Sequence, residues 1–267
     1  MTTNIRQTKS LLSLVLLTSV LSFTTSHAIS SSYDGDSSEQ TLQRLNQQIA
    51  KQPKNAKLYL ERGQVYFSLR EFDGAIEDYT AAITLDNQQY DAWFWRGMAQ
   101  GRVGNVAAGI EDISVYIEHN PNDSRAHTKR GVRYLWLGDR DNASKDFHRA
   151  IELDPKNAEA HDDLGVVLAQ QGDYQRALEH FYQTVQIDSS YQKGYHNLAM
   201  ALYIMNRDVD ALQAVDYAIQ LDPEARNSML LKSEILSALG RHAEAQAAHE
   251  NAMFLPEGNW TERAPVK

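Results

Sequence analysis

Apolar residues recur at helical spacing through residues 38–257, in short stretches separated by polar breaks. One stretch carries Leu164, Val167 and Leu168, and the next carries Ala177 and Phe181. Spacings of three and four put such residues on one helix face. Between paired stretches sits Gly or a polar residue: Arg70, Gly104, Gly138, Gly172, Asn206 and Gly240. Each marks a turn. Asn120-Pro121, Asp154-Pro155 and Asp222-Pro223 close second stretches, because the residue before Pro avoids helical geometry. The pattern predicts short helices in pairs and an all-α fold.

The pairs repeat with a period of 34. Gly63, Gly97, Gly131 and Gly165 keep that spacing, and Ala199 and Ser233 continue it. Twelve residues on come Ala75, Gly109, Ala143, Ala177, Ala211 and Ala245; four later, Tyr79, Ile113, Phe147, Phe181, Val215 and His249. Three further stand Ala82, Tyr116, Ala150, Thr184, Ala218 and Ala252. This spacing resembles the tetratricopeptide repeat. The resemblance covers residues 56–257 as six units starting at 56, 90, 124, 158, 192 and 226. Residues 38–55 read as a preceding half repeat, with Ser37 and Gln40 suited to a capping box. Residues 29–37 form a polar spacer and 258–267 a C-terminal tail. One helix pair cannot bury its apolar face alone, so neighbours must stack. The resemblance implies a right-handed α-solenoid with a concave groove lined by the first helices.

Residues 1–28 follow a different pattern. Arg6 and Lys9 precede an apolar run from Leu11 to Leu17 with Val20 and Leu21, and Ser26-His27-Ala28 follows. This layout predicts a secretory signal peptide cut after Ala28. The run is short for a membrane span, which needs about 20 apolar residues. The expected location is the periplasm, with secretion or an uncleaved membrane anchor as the alternatives. The 267 residues include no Cys, so disulfides, thiolate nucleophiles and Cys-ligated zinc are excluded. Acids outnumber bases 35 to 26, a net charge of −9, which argues against nucleic acid as a partner. Cleavage would remove Arg6 and Lys9 and no acid, leaving 24 bases against 35 acids, or −11.

Some repeated positions are charged. The seventh residue of the first helix is Arg62, Arg96 and Arg130 in units one to three; sixteen residues later stand Asp78, Asp112 and Asp146. Units four and five carry Leu164 and Leu198, then His180 and Ala214. Arg and Asp appear and disappear together. They are expected to pair between helices or between adjacent units, since guanidinium and carboxylate form a two-pronged hydrogen bond.

Reactive motifs are missing. There is no His-Glu-x-x-His, no Gly-rich phosphate loop ending in Gly-Lys-Ser/Thr and no Gly-x-Ser-x-Gly. His161-Asp162-Asp163 is the tightest group of potential ligands. Consecutive helical residues diverge by about 100°, so three in a row are not expected to converge on one ion. His242 and His249 occupy framework positions of the last pair and are expected to pack. No catalytic residue, metal or cofactor is expected.

The family resemblance implies ligand contacts at positions two, five, six, nine, twelve and thirteen of each first helix. These include Leu60, Gln64 and Phe67 in unit one, and Phe94, Trp95, Met98 and Arg102 in unit two. Unit three adds Arg125, Lys129, Val132 and Trp136. Apolar side chains beside bases suit a peptide with apolar anchors and an acid. The carboxylate clamp of chaperone-binding relatives is absent: Arg125 and Lys129 fit its last two positions, whereas Leu60, Gln64 and Trp95 do not fit the rest. Unit four is acidic with Asp162 and Asp163, and unit five carries Lys193, His196, Asn197 and Tyr203. The expected function is a non-catalytic scaffold or adaptor of the cell envelope with a protein or peptide partner. An exported holdase is the alternative, and a metal-binding or enzymatic role ranks below both. The Ala-rich stretch from His242 to Glu250 offers a face for a second copy of the chain.

Overall fold

A computed structural model describes residues 37–256. The expected signal peptide, all of the polar spacer but Ser37, and the tail lie outside the described residues. Among the described residues are thirteen α-helices and no strand. Helix α1 (Ser38–Lys51) precedes six pairs. These are α2 (Ala56–Ser68) with α3 (Phe72–Leu85), α4 (Tyr90–Arg102) with α5 (Val106–His119), and α6 (Ser124–Trp136) with α7 (Arg140–Leu153). Then come α8 (Ala158–Gln170) with α9 (Tyr174–Ile187), α10 (Gln192–Ile204) with α11 (Asp208–Leu221), and α12 (Arg226–Ala238) with α13 (His242–Phe254). No described helix is long and apolar enough to cross a membrane.

The described chain forms two compact units, residues 37–146 and 147–256. In the N-terminal unit α1 to α6 pack consecutively, and α4 also touches the first helices on either side of it, α2 and α6. In the C-terminal unit α8 to α13 pack consecutively, with further contacts of α8 to α10 and α10 to α12.

Local sequence sets where the helices start and stop. Ser37 and Gln40 form a reciprocal capping box at α1: Ser37 N donates to Gln40 Oε1 at 2.8 Å, and Gln40 N donates to Ser37 Oγ at 3.3 Å. The side chains of Asn55, Asp123, Asn157 and Asp173 accept from backbone amides at the starts of α2, α6, α8 and α9. All six turn residues adopt left-handed backbone, including Arg70 (φ 66°) and Asn206 (φ 60°). For a residue with a side chain that costs about 1–2 kcal/mol, so the turn geometry outweighs residue preference at those two sites.

Three of the pairs close around a contact too tight for a side chain on the first helix, at Gly63, Gly97 and Gly165. A Cβ on Gly165 would lie 2.6 Å from Phe181 Cε1, and one on Gly97 would lie 2.8 Å from the Gly109 carbonyl oxygen. The opposing framework residues Tyr79, Ile113, Phe147, Phe181 and Val215 are fully buried.

In the N-terminal unit the repeated charges form clasps. Arg62 donates from Nε and Nη2 to Asp78 at 2.8 and 2.6 Å. Arg96 does so to Asp112 at 2.8 Å for both, and Arg130 to Asp146 at 2.8 Å for both. The third nitrogen, Nη1, reaches the second helix of the preceding element: Arg62 to Asn46 Oδ1 (2.6 Å), Arg96 to Thr80 Oγ1 (3.2 Å), Arg130 to Ser114 Oγ (3.0 Å). One guanidinium thus joins three helices. Burial pushes Asp146 up, but Arg130 and His127 outweigh it and hold the carboxyl below its ordinary range.

Arg96→Leu strands the buried Asp112 and is expected to destabilise the unit by about 3 kcal/mol. Arg96→Leu with Asp112→Leu should cost less than the single change. Urea unfolding of the two single variants and the double variant checks this, and strictly additive losses would contradict a clasp.

Candidate peptide-binding surface

Of the eleven residues expected on the groove in units one to three, Leu60, Phe94, Met98 and Val132 are buried and Trp136 is half-buried. Leu60 packs with Ala75, Tyr79 and Ala99, while Phe94 and Met98 pack with Ile113, Tyr116 and Ile117. Gln64, Phe67, Trp95, Arg102 and Lys129 are half-buried, and Arg125 is exposed.

Several of these residues form one continuous row in the N-terminal unit. The Arg102 guanidinium lies over the Phe72 ring at 5.4 Å, and Phe72 meets Phe67 edge-on at 5.4 Å. Phe67 meets Trp95 edge-on at 5.3 Å, and Trp95 meets Phe94 edge-on at 5.4 Å. The Arg125 guanidinium lies 4.8 Å from the Phe94 centroid and 6.0 Å from that of Trp95. Each edge-to-face contact sets a positive ring edge against a negative face, which fixes the rings' tilt. The outcome is a row of four rings with a guanidinium at either end, of which Phe67, Phe72 and Trp95 are half-buried and Phe94 is buried. Phe72, the first residue of α3, completes the row although it lies outside the expected ligand positions.

Beneath the row lies a residue that sequence reasoning missed. Arg133 of α6 is completely buried. Its Nε donates to Gly97 O (3.2 Å), Nη2 to Met98 O (3.2 Å) and Nη1 to Lys129 O (2.7 Å). A Cβ on Gly101 would lie 2.9 Å from Arg133 Nε, and one on Gly109 would lie 3.3 Å from it. Three glycines on α4 and α5 opposite a mid-helix Arg were the available signal. Bound to three carbonyls, this charge serves packing.

Three buried charges of the C-terminal unit are paired with one another. Lys193 Nζ lies 2.9 Å from Asp162 Oδ2 and 3.0 Å from Asp163 Oδ1. Asn197 Nδ2 donates to Asp162 Oδ1 at 2.8 Å. All four residues are buried. The expected divergence along His161-Asp162-Asp163 therefore holds only in part: both carboxylates reach one ammonium, and His161 turns away to His180. Burial pulls Lys193 down, but the two carboxylates outweigh it and hold it well above its ordinary value. Burial pushes Asp163 up against the opposing pull of Lys193. His196 Nδ1 lies 3.0 Å from Ser228 Oγ, to which Gln192 Nε2 also donates at 3.1 Å. Burial and the Lys193 charge hold His196 down to about 4. Lys193, His196 and Asn197 are thus internal partners, although the sequence pattern places them on the groove. Among the described residues no group of three or more His, Asp or Glu is arranged to hold a metal ion.

With 34-residue helix pairs and small-residue contacts, the chain has the architecture of a tetratricopeptide repeat array. Family models agree: "Tetratricopeptide repeat" matches residues 128–191 and "TPR repeat" matches residues 64–104. No curated protein matches the chain. Among solved structures, the Cut9–Hcn1 hetero-tetramer of the APC/C is similar with a TM-score of 0.73 at 16% identity. That match covers 84% of this chain but 45% of the other, so the chain spans under half of its relative's length. A tetratricopeptide repeat protein from Parabacteroides merdae gives a TM-score of 0.70 at 16% identity, covering 94% of this chain and 96% of that one. YrrB, "a TPR protein with an unusual peptide-binding site", gives 0.55 at 19% identity, covering 70% and 97%. These likenesses establish the fold: all-α, of the tetratricopeptide type.

Lys193→Met would leave Asp162 and Asp163 buried without their countercharge. It is expected to cost about 3–5 kcal/mol, read by urea unfolding at pH 7. Lys193→Met combined with Asp162→Asn and Asp163→Asn should recover much of that loss; no recovery would show that the lysine stem, and not its charge, matters.

Proposed function

We propose that this chain is a non-catalytic scaffold of the cell envelope that docks a segment of a partner protein on the first-helix face of its N-terminal unit. One observation carries the reading: four rings in a row end on two guanidinium groups in a chain whose net charge is −9. Positive charge gathered on an aromatic row favours an apolar peptide with acidic residues, since the rings supply contact area and the arginines select carboxylates. Peptide binding by YrrB, a protein of similar fold, supports the same class of function. The envelope location rests on residues 1–28, which have the layout of an export signal.

The accessible contacts are Phe67, Trp95, Arg102, Arg125, Gln64 and Lys129. Phe67 and Trp95 pack against the buried clusters that contain Leu60, Phe94 and Met98, and Val132 is buried as well. The two sets are separable by mutation, because shortening a fully buried side chain costs more stability than changing a half-buried or exposed one.

The test is an array of 12-residue peptides in which acidic, basic and aromatic content varies independently, probed with the mature chain. Acidic-aromatic peptides should bind best. Arg125→Glu with Trp95→Ala should weaken them at least tenfold while leaving the helical circular dichroism unchanged. Equal weak binding of every unfolded chain, indifferent to the variant, would favour a holdase. An array that stays blank with the folded chain would contradict the reading. N-terminal sequencing of the chain recovered from cells tests export, with Ile29 as the expected first residue.

A further inference from the structure

The fourth residue of each of the first four repeats is a ring with a polar edge, and each ties down a loop carbonyl six residues earlier. Tyr59 Oη donates to Pro53 O (3.1 Å) and Trp93 Nε1 to Asn87 O (3.1 Å). His127 Nε2 lies 3.1 Å from Pro121 O, and His161 Nε2 lies 3.2 Å from Pro155 O. A carbonyl only accepts, so in both histidines Nε2 carries a hydrogen.

The second nitrogen of each ring meets a different partner. His127 Nδ1 faces Asp146 Oδ1 at 3.2 Å, a carboxylate that Arg130 also clasps. Both nitrogens of His127 therefore face acceptors. His161 Nδ1 instead lies 3.1 Å from Nδ1 of His180, which stands 34 residues after Asp146. The ring centroids are 5.3 Å apart, so the two Nδ1 atoms point toward each other. One hydrogen fits between them. Because His161 already holds its hydrogen on Nε2, its Nδ1 accepts and neutral His180 donates.

This pair has no place for added charge. A first extra proton, on His180 Nε2, keeps the bond but meets no carboxylate. The titratable and charged groups acting on His180 are His161 of α8, His148 of α7 and Arg176 of its own helix, all of which oppose a positive charge there. Leu164 stands where the clasp arginine stands in the earlier repeats. A second proton, on His161 Nδ1, sets N–H against N–H and breaks the bond.

We propose that His161 and His180 form an acid-sensitive latch within the fourth repeat: neutral, the pair ties α8 to α9, and protonated, it loosens them. Burial holds His161 below its ordinary value, and burial, with the further opposition of His161, His148 and Arg176, holds His180 down to about 4. Folding therefore favours the neutral rings. Their stabilising effect is complete above the unfolded value of 6.5 and is lost as pH falls toward about 4.

The full chain is tested by amide hydrogen exchange at pH 7 and pH 5, corrected for the intrinsic rate. Protection of α8 and α9 should fall by about tenfold in the wild type. His180→Asp places a carboxylate opposite His161 Nδ1, as Asp146 stands opposite His127, and should abolish or reverse that fall. Parallel losses in the wild type and His180→Asp would overturn the latch. A readout that needs no variant is the nitrogen-15 spectrum of the wild-type histidines at pH 7. It should show hydrogen on Nε2 of His161 and on Nδ1 of His180; a positively charged His180 at that pH would overturn the proposal even if His180→Asp failed to fold.

Discussion

In the first, second and fourth repeats the two helices approach to van der Waals contact at a glycine with no room for a side chain, and the other features of those pairs follow from that approach. Gly97 against the Gly109 carbonyl and Gly165 against the Phe181 ring show how little space remains. Contact this close buries the framework ring completely. It also holds the seventh residue of the first helix within reach of the second helix, sixteen residues on, where a guanidinium can span both. A helix pair spaced wider by one methyl group would lose the packing and the clasp together, because dense interiors do not absorb added volume freely.

The clasps tie the helices of the N-terminal unit to one another. Each arginine joins its own two helices to the preceding second helix, through Asn46, Thr80 or Ser114. The rings of the aromatic row sit on α2, α3 and α4, and Arg125 on α6, helices bound by this lattice. A surface held in place before a partner arrives loses less entropy on binding than one that must order. The C-terminal unit is built differently. Its polar groups pair internally around Lys193 and around the two histidines, leaving hydrophobic contact to carry the clasp positions at Leu164 and Leu198.

The repeat framework was legible in the sequence because a related contact recurs every 34 residues and calls for a small residue on the first helix each time. The Arg and Asp positions were legible because the two residues come and go together within one chain. The third arm of each clasp was not, since Asn, Thr and Ser share only a small polar end and sit beside many similar residues. Arg133 was hidden for a different reason. A single charge facing helix carbonyls has no counterpart in the other repeats, so the period carries no trace of it. Lys193, His196 and Asn197 were read outward because repeat position alone does not reveal that Asp162, Asp163 and Ser228 stand close enough to neutralise or bind them. Phe94 and Met98 illustrate the remaining ambiguity: a groove and a core call for the same apolar side chains, and only burial separates them.

The most direct test compares two glycine substitutions within helices. Gly97→Ala drives a methyl group against the Gly109 carbonyl, which is backbone and has nowhere to move; Gly74→Ala meets only the Tyr66 ring at 3.4 Å. Close helix approach predicts that Gly97→Ala loses about 2 kcal/mol by overpacking, while Gly74→Ala is neutral or gains up to about 1 kcal/mol from improved helix propensity. Equal tolerance of the two changes in urea unfolding would contradict the constraint from which the rest of the fold is derived.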